Sequence, residues 1–270
     1  MNQISECIAA GPVLSPGRIL PPTLCPLIMA GDPSLDATRA LLRECVRLGV
    51  GMVELCLPFR NAFTDGPALI RAHERALRDE AGPAAVIRMA AEFTADIRII
   101  LLADSSHTLR PFGFERLFTM AAEAGFAGVL PHGLPPVLSQ RFHSAAQLAG
   151  LPVVGTIYAN AMPETRQQVI ARASAFIYLV STWGRSGGAV DPSDLSCQID
   201  ALRAHSALPV ALGFGLKTPS DVGRAFRAGC DIAIVGSAVS GVIENALETG
   251  QDPVERAALF IADLQEETRP

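Results

Sequence analysis

Lysine is almost missing from this chain: of its 22 lysine and arginine residues, only Lys217 is a lysine. An enzyme that forms an imine with a carbonyl substrate needs a lysine amine, so such chemistry would have to run through Lys217. That residue stands in GFGLKTPSDV, where a helix start after a glycine-rich strand end is the plainer reading. Charge is sparse as well, at 18% of residues, with a formal net charge of −5. No basic surface is available to follow a nucleic-acid backbone, so nucleic acid is not an expected partner. Apolar runs of about 18 residues, the length that a membrane span requires, do not occur. The first twenty residues lack a basic start leading into an apolar run, which argues against a secretory signal and for a cytoplasmic protein.

Two further patterns are missing. The six cysteines (Cys7, Cys25, Cys45, Cys56, Cys197 and Cys230) contain no Cys-x-x-Cys pair and read as reduced, small apolar fillers. The five histidines (His73, His107, His132, His143 and His205) show no metal-ligand spacing. No metal site is expected. His73, His143 and His205 fall in helical patterns and read as surface residues, whereas His132 ends a strand and can face a site.

What is present is alternation. Short apolar runs at 24–30, 51–57, 97–103, 127–131, 152–157, 175–180, 208–212 and 231–235 are separated by amphipathic stretches such as 36–48, 114–124, 163–173 and 218–228. Runs that are apolar throughout, rather than at every second residue, are what parallel strands covered on both faces require. Eight strands, each followed by a helix, predict a closed (β/α)₈ TIM barrel of the α/β class. An internal echo agrees: RLGVGMVEL, EAGFAGVLP and RAGCDIAIV each place a glycine between a helix end and a strand. Gly49, Gly125 and Gly229 would cap those helices in the left-handed conformation. No linker or low-complexity tract divides the chain, so 1–270 forms one domain with 1–22 as a covering segment across the barrel bottom.

Barrels of this kind place their sites at the C-terminal strand ends and in the loops that follow. After the seventh strand come Gly213, Phe214 and Gly215; after the eighth come Gly236 and Ser237, entering a helix. Glycines let backbone N–H groups approach an anion, and the two loops with a helix start are a recurrent phosphate site, a reading favoured over tight turns alone. After the sixth strand, STWGRSGG (181–188) is polar and glycine-rich, either a lid or a surface loop. Glu54 interrupts the apolar strand GMVELCL. A buried carboxylate there would have a raised pKa suited to proton transfer at neutral pH, or it would be a structural ion pair. Asp65, before a proline-led helix, is either a functional carboxylate or a helix N-cap.

The segments PLIMAGDPSLD, VELCLPFRNAFTDGPALIRAHERAL, YLVSTWGRSGG, ALGFGLKTPSDV and VGSAVSGVIE together resemble the α subunit of tryptophan synthase. The resemblance runs in order from about Pro22 onward. It implies a carbon–carbon lyase that cleaves indole-3-glycerol phosphate, or a substituted analogue, to indole and glyceraldehyde 3-phosphate without metal or cofactor. It implies that Glu54 is the general acid/base and that Asp65 accepts the indole N–H. Ser186 takes the place of a loop threonine that orders that aspartate. Gly187, Gly213, Gly215, Gly236 and Ser237 fall where the family holds phosphate, and Leu27, Leu101, His132, Tyr178 and Phe214 fall on pocket positions.

The sequence departs from that pattern at four places. The third-strand end is Ala103-Asp104-Ser105-Ser106-His107, and the fourth is His132-Gly133-Leu134-Pro135; the family uses these regions partly to contact a β subunit. Leu27 replaces an aromatic wall residue and Gly155 a branched one, which reshapes the aryl pocket. A stand-alone lyase is therefore the expectation; the alternatives are a conventional α subunit dependent on a β subunit, a non-catalytic phosphate-binding partner or regulator, and an isomerase of a related phosphorylated metabolite, in primary or secondary metabolism.

Overall fold

In a computed structural model that describes residues 20–78, 81–180, 192–213 and 215–269, the predicted strands form one parallel eight-stranded sheet. They are β1 Thr23–Met29, β2 Met52–Cys56, β3 Arg98–Asp104, β4 Gly128–His132, β5 Gly155–Tyr158, β6 Ile177–Val180, β7 Val210–Leu212 and β8 Ile232–Val235. Their spatial order is β4-β3-β2-β1-β8-β7-β6-β5, with every pairing parallel. The seam between the two ends is joined by a parallel bridge between Val129 and Val153. The sheet thus closes on itself, as the TIM-barrel expectation requires.

Ten helices of eight residues or more are described outside it: α1 Leu35–Arg47, α2 Pro67–Ala76, α3 Pro83–Ala90, α4 Phe114–Glu123, α5 Pro136–Ala149, α6 Pro163–Arg172, α7 Pro192–Arg203, α8 Pro219–Arg227, α9 Ser237–Glu248 and α10 Pro253–Gln265. Their ends follow local chemistry. Thr218 and Asp221 form a reciprocal capping box at the start of α8, which satisfies backbone donors that a helix start leaves open. Gly125 follows α4 at φ 82, a conformation that side chains rarely adopt. Gly49 and Gly229 likewise take positive φ, as expected of the echoed motif.

Two apolar layers separate the faces of the strands. Val53, Leu55, Ile99, Leu101 and Val129 pack outward into the helices. Cys25, Met52, Ile100, Leu130, Phe176 and Ala211 pack inward and fill the barrel. Strand side chains alternate between faces, so register fixes which residues share the interior. Leu27 pairs with Glu54, Glu54 with Ile100, Cys56 with Leu102, and Tyr178 with Ala211. At the N-terminal end of the barrel, the Leu20 N–H donates to Asp231. The covering segment expected at 1–22 otherwise lies outside the described residues.

Candidate active site

Glu54 lies on the inward face of β2 and is only 2% exposed. Neither of its carboxylate oxygens has a hydrogen-bond partner among the described residues. Its surroundings include the Cys25 and Cys56 thiols and the Tyr178 phenol, whose own ionisation burial and the Glu54 charge both oppose. With no described group to stabilise its charged form, burial raises the Glu54 carboxyl from its ordinary 4.5 to about 8. At neutral pH it therefore keeps its proton inside an apolar barrel. A structural ion pair, the other reading of this residue, has no counterpart among the described residues.

Asp65 sits in the segment between β2 and α2. It is not the helix cap: Gly66 occupies that position and makes no side-chain cap bond. Instead Oδ2 of Asp65 lies 3.1 Å from Nε2 of His73. His73 is only 2% exposed, so its reading as a surface residue is corrected. One face of α2 turns toward the barrel rim, and its Nδ1 accepts the Phe59 N–H at 3.2 Å.

A third carboxylate was not singled out from the sequence. Asp104 ends β3 and accepts from the Ser106 and His107 N–H groups at 2.9 and 2.8 Å. Its two oxygens also meet the rings of His107 at 2.8 Å and His132 at 3.1 Å. Burial works to raise its pKa, but the His107 N–H, the two imidazoles and the Ser106 N–H outweigh it and hold Asp104 below the usual carboxylate value. Nε2 of His132 in turn lies 3.3 Å from Oγ1 of Thr64, the neighbour of Asp65. Glu54, Asp65 and Asp104 all bear electrostatically on the Cys56 thiol and oppose its ionisation.

The phosphate candidates stand on the opposite side of the ring, where β7 and β8 end. Gly213 follows β7, and a side chain there would run into the Tyr178 phenol. Gly215 takes φ 80, and Gly236 caps α9, whose first residue is Ser237. Gly236 also packs against Leu27, so the β1 wall and the β8 turn are neighbours. Gly187, Ser186, Phe214 and the rest of the 181–188 loop lie outside the described residues. Lys217 is exposed ahead of the α8 capping box, where it serves the helix start.

Register corrects two pocket assignments. Leu101 is fully buried in the outer layer between β3 and the helices; the inward residue there is Leu102, opposite Cys56. Gly155 also faces outward: a Cβ there would come within 2.7 Å of Ala173 and 2.9 Å of Val169. Its absent side chain lets α6 approach the barrel and opens no space inside. The inward residue of β5 is Thr156, which pairs with Tyr178. Leu27, His132 and Tyr178 do reach the interior or its rim. Among the described residues no group of three or more His, Cys, Asp and Glu side chains is arranged to hold a metal ion, and no helix is long and apolar enough to cross a membrane.

Comparison with known proteins brings this geometry into a family. Residues 21–269 match the family model described as tryptophan synthase alpha chain. The tryptophan synthase alpha chain of Laribacter hongkongensis is 34% identical over 270 residues, covering 98% of both chains. That of Prochlorococcus marinus is 32% identical over 255 residues, covering 93% of both. Among solved structures, the tryptophan synthase alpha chain of Legionella pneumophila superposes with a TM-score of 0.81 at 27% identity, covering 92% of both chains.

Proposed function

This chain belongs to the tryptophan synthase alpha chain family, carbon–carbon lyases of indole-3-glycerol phosphate, and on that premise we propose that Glu54 and Asp65 carry out the cleavage without a second chain. The observation that carries the proposal is the Glu54 carboxyl inside the barrel, without a partner among the described residues. A buried polar group without a partner costs the fold free energy, so its presence calls for a use.

The reaction follows from the placement. Protonated Glu54 gives its proton to C3 of the indole ring, and the ring becomes a cationic indolenine. Asp65 accepts the ring N–H and stabilises that charge, the kind of fixed electrostatic complement that usually dominates catalysis. The Glu54 carboxylate then takes the proton of the glycerol hydroxyl. The bond between C3 and the hydroxyl-bearing carbon breaks, its electron pair returns to the ring as indole forms, and the aldehyde of glyceraldehyde 3-phosphate is left. Glu54 has given one proton and received one, so it ends as it began.

The substrate phosphate is assigned to Gly213, Gly215, Gly236 and Ser237, with Gly187 completing that set. Gly213, Gly215, Gly236 and Ser237 stand across the barrel from the Asp104 and His132 rim, so a substrate would span the mouth. Independence from a β subunit is supported by that rim: Asp104, His107, His132 and Thr64 bond to one another within the chain. Indole release from indole-3-glycerol phosphate by the purified chain alone tests both parts. Activity that appears only with an added β subunit would keep the lyase and remove its independence; no activity in either case would remove both.

A ring-substituted substrate is a second reading, favoured by Leu27 on the inner wall and by the polar His132 at the rim. With Gly155 turned outward, it rests on those two positions. A strict kcat/KM preference for the unsubstituted compound would oppose it.

A further inference from the structure

The segment between β2 and α2 contains no helix or strand, yet it carries Asp65. It passes through Asn61 at φ 60, and Phe63 projects into solvent, 84% exposed. Its anchors come from outside it. His73 reaches back from α2 and makes two bonds with one ring. Because Nδ1 accepts the Phe59 N–H, the ring proton sits on Nε2, facing Asp65. A neutral imidazole bonded this way orients the carboxylate without cancelling its charge. It occupies Oδ2 and, among the described residues, leaves Oδ1 open to a substrate.

On the other side, His132 holds Thr64 and is itself oriented by Asp104. The Phe59 ring fills the space between the anchors, with its centroid 4.3 Å from that of His73, 5.3 Å from His132 and 5.8 Å from His107. The Asp104 carboxylate is fixed by the backbone of the turn that follows β3, so the anchor ends in rigid structure.

We infer that His73 and His132 are positioning residues that clamp the Asp65 segment from two sides, with His73 setting the orientation of the carboxylate. The inference rests on the reading of Asp65 as the group that meets the substrate ring N–H. A misplacement of about 1 Å can cost about 10²-fold in rate, which sets the scale of the expected effect.

Steady-state kinetics of His73→Ala, His73→Gln, His73→Asn and His132→Ala, with amide hydrogen exchange of residues 59–66 in substrate-free protein, test this. His73→Ala is expected to lose about 10²-fold in kcat while KM changes little. Gln places an N–H donor where Nε2 stood and should recover most of the loss. Asn can replace only the acceptor for Phe59 and should not. His132→Ala should speed exchange across 59–66 and lower kcat by about 10-fold, part of the same positioning effect. Recovery by Asn equal to that by Gln would make His73 a structural residue and overturn its role. Unchanged exchange in His132→Ala would overturn the clamp. If the wild-type chain proves inert toward indole-3-glycerol phosphate while the variants still exchange faster, the lyase reading fails and the clamp stands.

Discussion

Two buried carboxylates, one at the N-terminal end of the barrel and one in its interior, are treated in opposite ways. Asp231, fully buried just before β8, accepts from the Leu20 N–H at 3.3 Å, the Val210 N–H at 2.8 Å and the Arg203 guanidinium at 3.0 Å. Glu54, almost as deeply buried in β2, accepts from no described group. The first carboxylate joins β7, β8, α7 and the chain entering β1, and its bonds offset the cost of its burial. The second carries that cost with no structural return. The N-terminal end of the barrel is built for stability, whereas its interior keeps a carboxyl that the proposed reaction would use.

Removing Asp231 should have the largest effect on the fold. Asp231→Ala removes the ion partner of the partly buried Arg203 and strands two buried backbone donors, and should cost about 3–5 kcal/mol in denaturant unfolding. A loss below about 1 kcal/mol would mean that its bonds are replaceable and would blunt the contrast with Glu54.

The linkage to pH comes next. Glu54 titrates near 8 in the folded protein against 4.5 ordinarily, so between those values the folded chain binds more protons than the unfolded one. Stability therefore falls as pH rises through that window, by up to about 1.4 kcal/mol per pH unit. Between pH 6 and 8 the wild type should lose roughly 2–3 kcal/mol relative to Glu54→Gln. Parallel stability curves for the two proteins would mean that the carboxylate has a partner after all.

Gly155→Ala should destabilise by about 1–2 kcal/mol, since the new methyl meets Ala173 and Val169. Unchanged stability together with altered substrate preference would return Gly155 to the pocket. Ser237→Asp should weaken glycerol 3-phosphate binding by about tenfold, or about 1.4 kcal/mol, because it sets a like charge against the anion. Undiminished affinity, read by calorimetry, would move the phosphate elsewhere.

The fold was legible because parallel barrel strands must be apolar on both faces, and that same property hid the pocket. In a run such as IRIILLA nothing distinguishes the inward residue from the outward one, so Leu101 stood for Leu102 and Gly155 for Thr156. Glu54 escaped this ambiguity because a carboxylate marks its own position. His73 looked like a surface residue because helical periodicity does not say that a polar group on the inner face has found two partners. Asp104 was visible as a carboxylate at a strand end, the place where barrel sites gather, but its ties to His107 and His132 depend on how β3 and β4 lie side by side.

The central claim is that the unpartnered carboxyl of Glu54 is kept for proton transfer. The most direct test is kcat for Glu54→Gln at saturating indole-3-glycerol phosphate. Gln preserves the shape but can neither give nor take the proton. A loss of about 10²–10⁴-fold with near-normal substrate binding is the expected result. Turnover within about threefold of wild type, far short of what an acid–base group contributes, would contradict it.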